Sequence, residues 1–253
     1  MKRYIAILLL MTVLVACEKE ANVKLPEVKP MPVVFCYISP ADTVISVKLS
    51  MSEPLFAEQN QNIYAPITDA NVTLSSAQGN ISLIYNQNKN AYSIPASSYP
   101  ILAGQTYKLV VTLNNGTVAE AETTVPDNNI PILAASVQTI TTNNSQFLRF
   151  KVGLQDDGNQ TNYYRIAIAS IETFVPGDTT YSETGIRNIY SDAGHNGEMM
   201  ELNVDSYIFS GNNSVGYMIY LLNTNKDYYL LHQSLRNYQP GNPFAEPSLI
   251  YTN

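Results

Sequence analysis

The residues that could do chemistry are sparse, and the densest group of them lies late in the chain. Asp192, His195 and Glu198 follow one another at intervals of three residues, with Gly194 and Gly197 between them. Carboxylate oxygens and an imidazole nitrogen presented from such a loop could hold a divalent metal ion. The same glycines equally explain a polar turn between two strands. We favour the turn and keep the three side chains as candidate metal ligands.

A nucleophile and its base are harder to assemble. Cys36 is the one thiol outside the N-terminal segment, and His195 and His232 are the two histidines. Because Cys36 lies inside an apolar run, we expect a small buried hydrophobic group with a raised pKa. His232 follows Tyr228 by four residues on a predicted helix and is expected to pack there. The chain has no Gly-x-Ser-x-Gly elbow, glycine-rich phosphate loop or His-Glu-x-x-His motif, so we predict no catalytic residues, no cofactor and no enzymatic activity.

An acidic segment and the many tyrosines each have a structural and a functional interpretation. The segment Asp156-Asp157-Gly158-Asn159 lacks the alternating acidic spacing of a calcium loop, so it predicts a turn.

Tyrosine packs well in β-sheet cores, but it also suits contacts with proteins or glycans. We expect core packing for most tyrosines of the second half and keep an exposed patch as the alternative. These tyrosines are Tyr163, Tyr164, Tyr181, Tyr190, Tyr207, Tyr217, Tyr220, Tyr228 and Tyr229.

The N-terminal segment predicts where the protein is located. Lys2 and Arg3 precede an apolar run over residues 4–15. This run is shorter than the roughly 20 residues of a membrane-spanning helix and is typical of a signal peptide. Small residues ahead of Cys17 match the bacterial lipobox, which predicts a signal peptide at residues 1–16 and acyl chains, palmitate among them, on Cys17. An ordinary secretory signal with an incidental cysteine is the alternative.

The residues after Cys17 predict an anchored body that stands away from the bilayer. Glu18-Lys19-Glu20 resembles the charged signal that sends lipoproteins of Bacteroidetes-type bacteria to the outer face of the outer membrane. The periplasmic face is the alternative. Prolines favour an extended, flexible linker over residues 17–32. No later apolar run has spanning length, so the lipid is the predicted link to the membrane.

Any site in the remaining chain must be positioned by β-strands. Residues 33–126 show short runs with a period of two, such as 43–51, separated by turn signals such as Asn114-Asn115-Gly116. They predict an immunoglobulin- or fibronectin-like antiparallel β-sandwich. Residues 131–253 predict a second β-rich domain, and the fold class is therefore all-β. The predicted strands are 33–38, 43–51, 70–75, 80–85, 91–94, 106–113, 117–124, 134–140, 147–154, 163–172, 197–204 and 215–222.

One short helix is predicted near the end of the second domain. Tyr228, Leu231, Leu235 and Tyr238 recur at intervals of three or four residues and form one apolar face. Residues 225–227 can cap this helix, and residues 239–241 contain the proline and glycine that end it.

The composition excludes several functional classes. The chain has a net charge of −7 and lacks the clusters of Lys and Arg that nucleic-acid binding requires, which argues against a nucleic-acid-binding protein. A hydrophobic fraction of 45% is too high for a disordered chain. Two cysteines cannot form a disulfide framework or a cysteine-rich zinc site.

The order of several motifs resembles a known family. The motifs are Cys17, the strand at 33–38, Ile67-Thr68-Asp69-Ala70-Asn71-Val72-Thr73-Leu74, Gly104-Gln105-Thr106-Tyr107-Lys108-Leu109, Asn162-Tyr163-Tyr164 and Asn242-Pro243-Phe244-Ala245-Glu246-Pro247. By these motifs the chain resembles the domain-of-unknown-function family 4249, outer-membrane lipoproteins of Bacteroidetes-type bacteria. Members of that family usually continue with a closing glycine-rich strand where this sequence stops. The resemblance therefore implies a second domain truncated at its C-terminus.

What the resemblance implies about function is binding rather than chemistry. Such lipoproteins are often encoded beside TonB-dependent outer-membrane transporters, and no catalytic residues are carried over from the family. We predict a lipid-anchored outer-membrane accessory protein that binds a partner or ligand beside such a transporter, in nutrient or metal uptake. A structural or adhesive cell-surface β-sandwich protein is the alternative. The expected partners are the membrane and a transporter rather than nucleic acid.

Overall fold

The computed structural model describes residues 29–52, 65–127, 129–142, 145–175, 178–184, 188–206 and 214–237. Strands dominate these ranges, and a single α-helix lies near their end, so the predicted all-β class with one short helix is confirmed. The first seven strands are Pro32–Cys36 (β1), Val44–Met51 (β2), Asn71–Ser76 (β3), Gly79–Asn86 (β4), Ala91–Pro95 (β5), Thr106–Thr112 (β6) and Val118–Thr124 (β7).

These seven strands are connected in the order β1-β2-β5-β4-β3-β6-β7, and every neighbouring pair is antiparallel. Strand β4 links two layers, because its beginning pairs with β3 and its end pairs with β5. Sixteen buried side chains between Ile45 and Val125 form the core that the two layers enclose. We call this part the first unit.

Strand β2 illustrates why the sequence folds in this way. Ile45, Val47 and Leu49 face the core and are 0%, 0% and 4% exposed, whereas Lys48 between them is exposed. Because side chains alternate between the two faces of a strand, this pattern confirms the predicted half-buried strand.

The predicted hairpin turn between β6 and β7 is also confirmed. Gly116 has a φ of +83°, which glycine adopts without a steric penalty. Its amide donates to Leu113 O at 2.9 Å, and the Leu113 amide donates to Thr117 O at 2.9 Å. The turn therefore fixes the register of the two strands.

The second unit contains two small sheets that pack face to face. One sheet has the order β13-β9-β8. In the other, β10 pairs with β11 and β12 along one edge and with β14 along the opposite edge. The bounds are Ala134–Thr141 (β8), Gln146–Gln155 (β9), Tyr163–Val175 (β10), Asp178–Thr184 (β11), Ile189–Ser191 (β12), Met199–Ser206 (β13) and Ser214–Thr224 (β14). The core between them consists of Phe150, Val152, Leu154, Tyr164, Ile166, Ile168, Met200, Leu202 and Val204.

Helix α1 spans Lys226–Asn237 and follows β14 directly. The Asn225 side chain accepts a hydrogen bond from the Tyr228 amide at 2.9 Å, which confirms the predicted cap. The predicted helix end at residues 239–241 lies outside the described residues. In the part of the chain that the structure describes, no helix has the length and apolar character that crossing a membrane would require.

Candidate functional site

Two loops that the sequence suggested separately lie against each other in the structure. The loop between β9 and β10 contains the Asp156–Asn159 turn, and the loop between β12 and β13 contains the candidate metal ligands. A Cβ atom added to Gly158 would lie 3.1 Å from the Cα atom of Gly197, so the two backbones approach closely. The Asp156 amide also donates to Glu198 O at 3.0 Å. Glycine at both positions therefore lets the loops pack together.

The Asp156 carboxylate is the centre of a buried polar network at this point. It is 4% exposed and accepts hydrogen bonds from the Tyr164 hydroxyl, from the Gly197 amide at 2.8 Å and from the Asn162 side chain at 3.3 Å. Burial and this carboxylate both raise the pKa of Tyr164 above its ordinary value. Tyr164 therefore stays protonated, and its hydroxyl donates a hydrogen bond to the Asp156 carboxylate.

Asp192 and Asn162 complete the network. Both residues are 2% exposed. The Asp192 carboxylate accepts a hydrogen bond from the backbone amide of Asn162 at 2.7 Å. The Asn162 side chain in turn donates to Asp157 O at 3.0 Å and to Gln160 O at 3.1 Å. Because the buried carboxylates already accept bonds from the protein, this network joins strands and loops rather than presenting groups to a ligand.

The candidate metal ligands are divided by this arrangement. Asp192 faces the buried network, whereas His195 and Glu198 are exposed and contact each other through Nδ1 and Oε2 at 3.1 Å. The His195 amide donates to Asp192 O at 2.7 Å, as in the turn that we favoured. Among the residues that the structure describes, no three His, Cys, Asp or Glu side chains are grouped so that they could hold a metal ion.

Cys36 lies in β1 and packs against the core of the first unit. Burial, with a smaller contribution from Asp42, raises the pKa of this thiol to about 12. The thiolate, which is the nucleophilic form, is therefore scarce at neutral pH. The pKa of the thiol is raised as expected, but the side chain is half-buried rather than fully buried.

An aromatic cluster joins the two units beside helix α1. The rings of Tyr228 and His232 lie 4.2 Å apart, and Tyr37, which follows β1, lies 5.6 Å from Tyr228. Arg165 of β10 donates to the Tyr228 hydroxyl at 3.0 Å. His232 is 8% exposed, so it packs on the helix as expected.

Acidification is expected to destabilise the folded protein through His232. Burial, followed by the nearby charge of Arg165, lowers the pKa of His232 below its ordinary value of 6.5. As the pH falls through that value, the unfolded chain takes up the proton first, and stability is lost until the pH reaches the lower pKa of the folded protein. The free energy of unfolding in urea should therefore fall less between about pH 7.5 and about pH 5 in His232→Phe than in the parent.

An exposed, uncharged position on the same helix provides the control for this measurement. Leu235→Phe should keep the pH dependence of the parent, since Leu235 is 36% exposed and carries no titratable group. An identical pH dependence in His232→Phe and in the parent would contradict the expectation.

Some of the described tyrosines pack in the core and others are exposed at the surface. Tyr164 is fully buried, and Tyr217 packs against the second core, whereas Tyr220 is 44% exposed. The side chain of Tyr181 and all of Tyr207 lie outside the described residues. Core packing therefore accounts for some of these side chains, and Tyr220 is available at the surface.

Two contacts show how the sheets of the second unit face each other. Tyr190 of β12 donates to Asn203 O of β13 at 2.5 Å. Phe150 of β9 packs edge-on against Tyr217 of β14, with ring centroids 5.2 Å apart. Strands β8 and β14 therefore lie at the edges of the two sheets on the same side. We call the strip between the outer edges of β8 and β14 the open seam.

Strand β8 is uncovered along the open seam. Every residue of β8 except Ile140 is exposed. Val137 pairs with buried Phe150 and so faces the core side of its sheet, yet it is 49% exposed. Leu133, just before the strand, is 54% exposed. Among the described residues no side chain covers Val137, and an exposed apolar side chain on the core side of a sheet makes this strand a candidate interaction surface.

The two strands that border the seam are edge strands in the described part of the chain. Within the described ranges, β8 pairs with β9 alone and β14 pairs with β10 alone. Neither strand contains a charged residue that would prevent a further strand from pairing. Sequence reasoning identified both strands but missed the seam, because a free edge depends on the order of strands in the sheet.

The remaining predictions concern residues outside the described ranges. They are the signal peptide, the lipid on Cys17, the export signal at residues 18–20 and the truncated C-terminus. The predicted linker at residues 17–32 is described from residue 29 onward.

Comparison with known protein families finds a match over nearly the whole chain. A family model described as "Domain of unknown function (DUF4249)" matches residues 18–253. No curated protein matches the chain.

Proposed function

The chain belongs to the DUF4249 family, and on that premise we propose that it is a lipid-anchored outer-membrane accessory protein that binds a membrane partner. The anchor is Cys17, and the partner is an outer-membrane protein of the TonB-dependent transporter class, active in nutrient or metal uptake. The body binds this partner through the open seam. The protein carries out no chemical reaction in this role.

The observation that carries the proposal is the exposed core-side face of β8. Val137 is 49% exposed although its pairing partner Phe150 is 1% exposed. An extended segment that binds along the open seam would cover Val137 and would pair with the outer edge of β14. This mode of recognition takes its affinity from main-chain hydrogen bonds and its specificity from alternate side chains.

The chemistry of the seam defines the segment that would bind there. Neither β8 nor β14 carries a charge, so an extended, uncharged segment with alternating apolar side chains fits best. A second copy of the chain is disfavoured at long range, because each copy has a net charge of −7. A membrane tether favours a membrane partner, since it raises the local concentration and lets a weak contact suffice.

Site-specific photo-cross-linking in the native bacterium tests the proposal. A photoreactive amino acid at position 137 should cross-link to one outer-membrane protein, and the same amino acid at position 118 on β7 should not. Val137→Lys should lower the recovery of that partner by at least about ten-fold, because it places an uncompensated charge in the seam. Gln138→Lys is the matched control, since Gln138 pairs with Arg149 and faces away from the core.

The outcomes separate the proposal from its alternatives. A position-137 cross-link to a transporter that Val137→Lys abolishes supports the proposal. Cross-links to a second copy of the chain, to the chain's own residues, or to host matrix or glycans would overturn it; the last result would favour an adhesive protein. Cys17→Ser tests the anchor separately, because the proposal requires this variant to leave the membrane fraction.

A further inference from the structure

The outer face of the first unit carries an apolar strip along β1. Val34 and Cys36 of this strand pack against the core. Because side chains alternate along a strand, Met31 and Phe35 point outward, as does Tyr37, whose ring also contacts Tyr228 of helix α1. These three side chains are 66%, 50% and 52% exposed. We call them the β1 strip.

The strip is held in place by pairing with β2. The Met31 amide donates to the Ser52 hydroxyl at 2.8 Å, and Met31 O accepts from the Ser52 amide at 2.7 Å. Phe35 pairs with Lys48, which is also exposed. Directly opposite residues of an antiparallel pair share a face, so Lys48 lies beside the Phe35 ring.

The four described strands around the strip carry no carboxylate. No Asp or Glu occurs in β1, β2, β4 or β5, and Lys48 is their one charged residue. Lys29 and Lys89 are exposed just outside them. The nearby Asp42 is half-buried, and its carboxylate accepts a hydrogen bond from the Ser39 backbone amide at 2.7 Å. In a chain of net charge −7, these four strands are thus neutral to basic.

We propose that the layer formed by these strands lies on the surface of the lipid bilayer, with Met31 and Phe35 inserted among the headgroups. Aromatic and aliphatic side chains next to lysine are the combination that binds a membrane interface. Strands without carboxylates also avoid repulsion from anionic headgroups. The predicted lipid anchor on Cys17 agrees with this placement. The segment between Cys17 and Lys29 can span at most about 40 Å, so the anchor would hold the β1 strip within that distance of the bilayer.

This inference deepens the proposed function, because the anchor is what brings the layer to the membrane. It gives the body an orientation in which the first unit contacts lipid. The open seam lies in the second unit, so the proposed lipid contact and the proposed protein contact use different parts of the chain.

Co-flotation with protein-free vesicles tests the inference. The mature polypeptide from residue 18 onward, without acyl chains, is mixed with vesicles of phosphatidylethanolamine and phosphatidylglycerol. Phe35→Ser combined with Met31→Ser should lower the partition coefficient by about five-fold or more, since the apolar area available for insertion is lost. Val118→Ser is the matched control, because Val118 is 55% exposed on β7 at the other edge of the sheet.

Further arms keep the result interpretable. Phe35→Leu should retain most of the binding, and thermal unfolding should show that every variant is folded. Lys48→Gln should weaken binding to these anionic vesicles but not to phosphatidylcholine vesicles. Equal partitioning of the parent and the Phe35→Ser/Met31→Ser variant would overturn the inference. The vesicles contain no protein, so this result is independent of the cross-linking at position 137.

Discussion

Asp156→Ala is expected to lower the free energy of unfolding of the second unit by about 3–5 kcal/mol. The substitution removes the acceptor of the buried Tyr164 hydroxyl and of the Gly197 amide. The buried hydroxyl then lacks a partner, which is costlier than the loss of the bond itself. Urea unfolding followed by tyrosine fluorescence is a suitable measurement, because the chain has no tryptophan.

A double variant and a surface variant make this prediction specific. Asp156→Ala combined with Tyr164→Phe should cost less than the sum of the two single changes, since the orphaned hydroxyl is removed together with its acceptor. Glu201→Gln should cost less than about 1 kcal/mol, because Glu201 pairs with Lys151 at the surface. Strict additivity of the two single changes would contradict the network.

Phe150→Ala is expected to lower the same free energy by about 3–5 kcal/mol for a different reason. Phe150 is 1% exposed and packs against Tyr217 of the opposite sheet. Removing the ring leaves a cavity between the two sheets that the surrounding side chains fill only in part. The midpoint of urea unfolding should fall while the denaturant slope stays unchanged.

The same substitution three residues earlier is the control. Phe147 is on the outer side of β9, where the Arg149 guanidinium lies 5.7 Å from its ring centroid. Phe147→Ala should cost less than about 1 kcal/mol, since no buried cavity forms. Similar losses for both variants would mean that Phe150 is not a core residue in solution.

The strands of this fold could be predicted from the sequence because their signal is local. Alternation in β2 places Ile45, Val47 and Leu49 on one face, and the structure buries all three. The turn at Gly116 and the cap at Asn225 depend on one or two residues and were also predicted. Two strands were missed. Strand β12 has only three residues, and β11 is rich in polar residues, so neither gives a clear hydrophobic period.

The polar network could not be predicted, because it joins residues that are distant in the chain. Asp156 and Asp192 appear in the sequence as parts of two separate turns. They come together because β13 pairs with β9 and β12 pairs with β10. A recurring pattern in the chain does not reveal which strands become neighbours, so the sequence shows two separate turns where the structure has one joint between loops.

The position of β1 at the edge of its sheet has a mechanical consequence. This strand has five residues and, in the described part of the chain, forms backbone pairing with β2 alone. A force that pulls on the segment before residue 29 acts on the Pro32 end of the strand. It would break the backbone hydrogen bonds to β2 one after another from that end rather than all at once. Under tension β1 should therefore yield before any other strand, and its departure would uncover Cys36 while the rest of the first unit stays folded.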